Sequence, residues 1–257
     1  MTSTSQEDQV TYDPTYYDLV VQDSLRAARQ IVPAVVSLVN PRSVVDVGCG
    51  IGTWLSVFRE RGVADVLGID GSYVQPQMLL IPGECFLARD LTKPIGLGRR
   101  FDLAMSLEVG EYLPANLADS FIDQLVGLSD IVLFSAAIPG QGGFHHINEQ
   151  WQDYWRRRFE ARGYPTVDCI RHQFWQNPEV ILYYSQNMFL YVERRLLASR
   201  PDLQALAERG SVLPTDLVHP RMLEAAIARE PNLNLRTLLR ALPAAIRVSV
   251  KWHLGVR

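Results

Sequence analysis

The chain has 257 residues, and 25 Lys plus Arg against 28 Asp plus Glu leave a formal net charge of −3. Hydrophobic residues make up 47% and charged residues 21%, the balance of a globular protein with a full core. Near-neutral charge argues against a protein that grips nucleic acid electrostatically. No apolar run reaches the roughly 18 residues of a membrane span, and three scattered cysteines (Cys49, Cys85, Cys169) form no zinc or disulfide pattern.

The first 14 residues are polar and acidic, without the basic and apolar regions of a signal peptide. With unpaired cysteines, this gives the expectation of a cytoplasmic protein. Tyr16 to Leu38 carries apolar residues at helical spacing, interrupted by Pro33, which predicts two helices or one kinked helix. Strand signals follow at 43–48, 66–70, 85–89, 101–107 and 130–135, with helical patterns at 53–61, 117–128 and 150–162. Two further strands are expected at 166–171 and 186–192. This alternation predicts an α/β fold with a mostly parallel sheet and helices on both faces.

Beyond Arg194 the strand signals stop, and helices are expected at 201–209, 221–230 and 235–251. Residues 198–257 hold nine basic and five acidic side chains. Such a segment suits a helical appendage packed on the domain or on a second copy of the chain, giving a homodimer. A basic face against an anionic membrane surface is the alternative. Three parts are expected: 1–39, an N-terminal segment with helices; 40–195, the main domain; and 196–257, the C-terminal appendage.

The most informative segment is Val44-Val-Asp46-Val-Gly48-Cys49-Gly50-Ile-Gly52-Thr53, a strand, a glycine turn and a helix start. Its spacing is GxGxG. A dinucleotide fingerprint would need glycine at position 53, and a P-loop would need Lys-Ser/Thr after the glycines. Asp46 inside the strand suits a ligand with positive charge rather than phosphates.

Together with Gly68-Ile-Asp70, Arg89-Asp90-Leu91 and Ser106-Leu107-Glu108-Val-Gly-Glu111-Tyr112, this segment resembles the class I S-adenosylmethionine-dependent methyltransferases over about residues 40–195. The resemblance implies a Rossmann-like sheet of seven strands, the last antiparallel. It implies S-adenosylmethionine as cofactor and S-adenosylhomocysteine as product. Gly48, Cys49, Gly50 and Gly52 would pack against the methionine and ribose, and Asp46 would lie near the ammonium group. Asp70, followed by Gly71, would accept from the ribose hydroxyls. Asp90 would bind the adenine amino group, with Leu91 behind the ring. Ser106, Leu107 and Glu108 would wall the sulfonium, and Tyr17, with Tyr16, would close over it.

Two regions fall where an acceptor would sit. Some relatives, including ubiquinone-pathway and small-RNA 3′-end methyltransferases, carry Glu-x-x-Glu-His where this chain has Glu108, Glu111 and Tyr112. Some of those hold a divalent metal, but the His is replaced here by Tyr112, and no metal is expected. The second region, Ser135 to Trp155, is rich in Gly, His and aromatics and loosely resembles loops of bacterial sugar and secondary-metabolite methyltransferases. His146, or its neighbour His145, is the candidate general base. Glu111, Tyr112, Asn148, Trp151 and Tyr154 are the candidate acceptor contacts, with the aromatics at 171–175 and 183–184 as further possibilities. The expected reaction is methyl transfer to an oxygen of a small molecule, a sugar or secondary metabolite. N-methylation of an amine or amino sugar, or a non-catalytic cofactor-binding partner, are the alternatives.

Overall fold

The computed structural model describes residues 14–212 and 214–229, with side chains over 21–212 and 214–228. Helix α1 spans Pro14–Val39 as one helix with Pro33 inside it. The ring removes a backbone N–H and costs about 3 kcal/mol in a helix interior. Burial of Ala27, Ala28, Ile31, Val32 and Val35, on a helix packed against α2 (Thr53–Glu60), offsets that cost.

Seven strands follow among the described residues: β1 (Ser43–Val47), β2 (Asp65–Asp70), β3 (Phe86–Ala88), β4 (Leu103–Leu107), β5 (Ile131–Ser135), β6 (Thr166–Val167) and β7 (Phe189–Val192). They form one sheet in the order β3-β2-β1-β4-β5-β7-β6. β1 to β5 run parallel, while β7 is antiparallel to both its neighbours. This is the expected Rossmann-like sheet with its last strand reversed.

Alternation along the strands divides the core into two layers. Val44, Leu103, Met105, Leu133 and Leu190 join the layer containing α1 and α2. Val45, Val47, Ala104, Val132, Phe134 and Tyr191 join the layer of α3 (Ala118–Leu128) and α4 (Gln152–Ala161).

Two strand expectations need correction. The segment at 166–171 is a strand only over Thr166–Val167 and then turns into α5 (Ile170–Phe174). The cause is tertiary: Arg171 is buried, pairs with Asp168, and donates to the Thr215 carbonyl at 2.7 Å. β7 begins at Phe189 because Gln186 and Asn187 end α6 (Leu182–Asn187), with their side chains in a buried amide network.

A compact unit runs to His219, and a second begins at Pro220. α7 (Arg194–Ala198) and α8 (Pro201–Gly210) belong to the first unit, with α8 packed on β6. Gly210 permits this approach, since a Cβ there would stand 2.8 Å from the Asp168 Cβ. α9 (Pro220–Arg229) lies in the second unit, and the helix expected at 235–251 falls outside the described residues. Among the described residues no helix is long and apolar enough to cross a membrane.

Candidate active site

β1 lies between β2 and β4, where the strand order reverses. The loops after these strands meet at the carboxyl end of the sheet, the place where open α/β sheets bind ligands. Gly48 and Gly52 have φ of +88° and +82°. A Cβ would stand 2.3 Å from Val109 Cγ2 at Gly48 and 2.8 Å from Ile81 Cγ1 at Gly52. Both sites exclude a side chain by conformation and by contact. Gly50, at φ +54°, differs, because a Cβ there would meet nothing within 4 Å. The middle of the loop faces open space. Cys49 turns inward, its Sγ beside Gly68 and donating to the Gly50 carbonyl at 3.3 Å.

Asp70, buried at the end of β2, is tied to this loop. Its Oδ2 accepts from the Gly50 N–H at 2.6 Å, and its Oδ1 from the Gly71 N–H at 2.7 Å. Tyr73 also donates its hydroxyl to Oδ1, although its ring is 74% exposed. The sequence reading missed Tyr73, since a tyrosine three residues past a strand end carries no signal of its own.

Asp46 is buried, and its Oδ1 has no hydrogen-bond partner. Burial, with Asp70 adding to it, pushes its carboxyl up to about 8. The Tyr184 phenol comes from α6 and bonds Ser24 Oγ at 3.1 Å and Trp54 Nε1 at 3.4 Å. Burial raises its pKa, and the charges of Glu108 and Asp46 act in the same sense. Tyr184 thus stands near both acids. Asp90 is exposed and accepts from the Thr92 N–H and Oγ1 at 3.0 and 2.6 Å, bonds that lower its pKa. Leu91 is half-buried against the α3–α4 layer.

Ser106 lies on β4. Strand alternation turns it to the α3–α4 face, where it is wholly buried with Oγ unpartnered, away from the face of Asp46. Leu107 belongs to the α1–α2 layer. Glu108 follows with φ +55°, a strained conformation for a non-glycine residue. Its Oε2 accepts from Gln141 Nε2 at 2.7 Å, and its Oε1 from Asn187 Nδ2 at 3.4 Å. Burial raises its pKa, while the Gln141, Ser135 and Asn187 contacts and nearby His146 oppose that rise. Glu111 has no exposed surface, and both its carboxyl oxygens lack partners. Burial, then Glu108, holds its pKa well above the usual carboxylate range. The two acids are therefore unequal: Glu108 is solvated by amides, and Glu111 favours its neutral form.

The loop after β5 closes over this pair. Glu149 accepts from the N–H groups of Gly140 and Gly142, each at 2.8 Å, and its Oε1 lies 3.0 Å from His146 Nδ1. The His146 ring stands edge-on to Tyr112 at 5.0 Å between centroids. His145, at φ +59°, is exposed and packs on Phe144. Glu149 went unnoticed in the sequence because its role depends on the fold of a glycine-rich loop.

Two of the expected acceptor contacts, Asn148 and Tyr154, engage the protein's own residues. Asn148 is buried and ties the loop down: its Nδ2 donates to the Gly110 carbonyl at 3.3 Å, and its Oδ1 accepts from Gln150 Nε2 at 3.0 Å. The Tyr154 ring lies under the Arg158 guanidinium at 3.5 Å and against Trp155. Trp151 and Tyr112 remain well exposed. Arg171 and Phe174 are core residues, and Trp175 packs on His219. The side chains of Tyr16 and Tyr17 lie outside the described residues. Among the described residues no three His, Cys, Asp or Glu side chains gather as a metal-ligand group.

A family model described as a methyltransferase domain matches residues 21–177. The chain belongs to this methyltransferase family. Three solved structures share its fold. DesVI from Streptomyces venezuelae is 16% identical with a TM-score of 0.54, covering 71% of this chain and 99% of its own. An O-methyltransferase family protein from Burkholderia thailandensis is 15% identical with a TM-score of 0.54, covering 74% and 63%. The sugar N-methyltransferase KedS8 from a Streptoalloteichus species is 16% identical with a TM-score of 0.51, covering 76% and 98%. No curated protein matches the chain significantly by sequence.

The chain carries a methyltransferase domain, and S-adenosylmethionine is the cofactor that the sequence resemblance implies. The chain's residues fit that molecule. Asp46 Oδ1 is a buried acceptor without a donor, Gly50 faces open space, and Asp70 presents a carboxylate beside that space.

Proposed function

We propose that this methyltransferase acts on a hydroxyl oxygen of a small molecule, a sugar or secondary metabolite. Bound S-adenosylmethionine supplies a methyl group already activated on a sulfonium. The chain's own task is to hold the cofactor, align the acceptor in line at about 3–3.5 Å, and take its proton.

The cofactor would rest on the Gly48–Gly52 loop. Asp46 would face the ammonium group, and Asp70 would accept from the ribose hydroxyls once Tyr73 gives way. Asp90 and Leu91 would meet the adenine. Leu107 and Glu108, with Tyr184 behind, would flank the methyl end. On the acceptor side, Tyr112 and Trp151 offer exposed aromatic faces, which suit a flat ring or the apolar face of a sugar.

The observation that carries the oxygen reading is the His146–Glu149 pair. A hydroxyl must lose a proton as the C–O bond forms and the C–S bond breaks, and a neutral imidazole can accept it. A neutral amine needs no such base. N-methylation is the second reading, favoured by the Glu108 carboxylate, which could hold an amine.

Labelled S-adenosylmethionine offered with paired acceptors, identical except for hydroxyl or amino at one carbon, separates the two. Mass spectrometry should find the label on oxygen. Label on the amino members alone would contradict the proposal.

A further inference from the structure

Glu149 contributes more than loop structure. Its carboxylate gathers three donors within one short segment: the N–H groups of Gly140 and Gly142 and the Nδ1 of His146. The His146 side chain is 9% exposed and that of Glu149 is 20% exposed, so the pair is largely withdrawn from water. An ionised carboxylate can only accept hydrogen bonds. The proton of a neutral His146 must then sit on Nδ1, which leaves the Nε2 lone pair free. Nε2 lies beside Gly143, where a Cβ would stand only 2.2 Å away, and makes no hydrogen bond to the described residues. Glycine at 143 thus keeps room for that nitrogen.

We propose that Glu149 is the positioning residue of the acceptor base, fixing His146 in its Nδ1–H tautomer so that Nε2 receives the acceptor's proton. This rests on the reading of His146 as the base. When the C–O bond forms, the hydroxyl proton passes to Nε2, the C–S electron pair stays on sulfur, and the imidazolium is held against the Glu149 carboxylate. The other titratable groups facing His146 are Glu108 and the Tyr112 phenol, and Glu111 stands near Glu149. Glu108 is bound by amides, and Glu111 favours its neutral form, which leaves Glu149 as the carboxylate in direct contact.

The first arm of the test needs no acceptor. The full chain, labelled with ¹⁵N-histidine and saturated with S-adenosylhomocysteine, is titrated by long-range ¹H–¹⁵N NMR, with His146→Ala assigning the signal among five histidines. Wild-type His146 should show the Nδ1–H tautomer, and in Glu149→Ala, which removes the acceptor, the neutral ring should shift toward the Nε2–H tautomer. An Nε2–H tautomer in the wild type, which needs no variant to fold, would overturn the proposal. So would an unchanged tautomer ratio in Glu149→Ala. Turnover of His146→Ala separates the two ideas. Loss of turnover with an Nε2–H tautomer removes only the role of Glu149, whereas full turnover removes the base and the proposal with it.

Discussion

The two halves of the site are built on different principles. The cofactor half, at the ends of β1 and β2, is made of short segments fixed by backbone geometry: three glycines at positive φ and one carboxylate bonded to the Gly50 and Gly71 N–H groups. The acceptor half, beyond β4 and β5, is assembled from distant segments. Glu108 is held by Gln141 and Asn187, 33 and 79 positions away, while the His146–Glu149 pair comes from the loop after β5. The first half would tolerate almost any surrounding protein that keeps strand, turn and helix. The second exists only when α6 and the loop after β5 are packed in place. A cofactor common to a whole family suits the first design, and an acceptor particular to one enzyme suits the second.

Substitutions can break that contrast in order of expected effect. With an acceptor that is turned over, His146→Ala should lower kcat by about 10²–10⁴ while calorimetry shows unchanged affinity for S-adenosylhomocysteine. A parallel loss of affinity would mean the halves are not separable. On the cofactor side, Asp46 gives a pH signature. Its carboxyl, raised to about 8 when the site is free, must lose its proton to meet the ammonium group. Affinity for S-adenosylhomocysteine should therefore rise with pH and level off near 8, by at most about 30-fold between pH 6 and 7.5 for one linked proton. Asp46→Asn should flatten this dependence. The same shift makes Asp46 stabilise the free fold fully below its unfolded pKa of about 4. That contribution is lost as pH rises through 8.

Gly48→Ala should cost about 1–3 kcal/mol in denaturant unfolding, from the positive φ and the clash with Val109. Gly50→Ala, with open space around its Cβ, should lose less stability and still weaken cofactor binding. Equal losses of stability would argue against the cradle. The smallest effect sharpens the picture at Asp70. Tyr73→Phe removes a donor that competes with the ribose hydroxyls, so affinity for S-adenosylhomocysteine should rise by up to about fivefold. A fall would mean that Tyr73 helps to hold the nucleoside.

The same contrast explains what was legible in the sequence. The positions of β1, β2, β4 and β5, the glycine loop and Asp46 and Asp70 follow from local patterns, because strand alternation and glycine conformations are short-range constraints. Thr166–Val167 read as a longer strand because nothing local announces that Arg171 turns inward to pair with Asp168. Asn148 looked like an acceptor contact because it lies among His and aromatics, yet its amide bonds Gly110 from 38 positions away. Tyr184 takes its role from partners that only the fold brings near, and Tyr73 and Glu149 from loop conformations that no local pattern announces.

The central claim is that the glycine loop and Asp70 form the S-adenosylmethionine site. Titration calorimetry with S-adenosylhomocysteine on the wild type and on Asp70→Ala tests it most directly. Saturable one-to-one binding should appear for the wild type and weaken at least about 100-fold in the variant, as expected for losing charge-assisted bonds to two hydroxyls. Equal affinity in the two proteins would contradict the account.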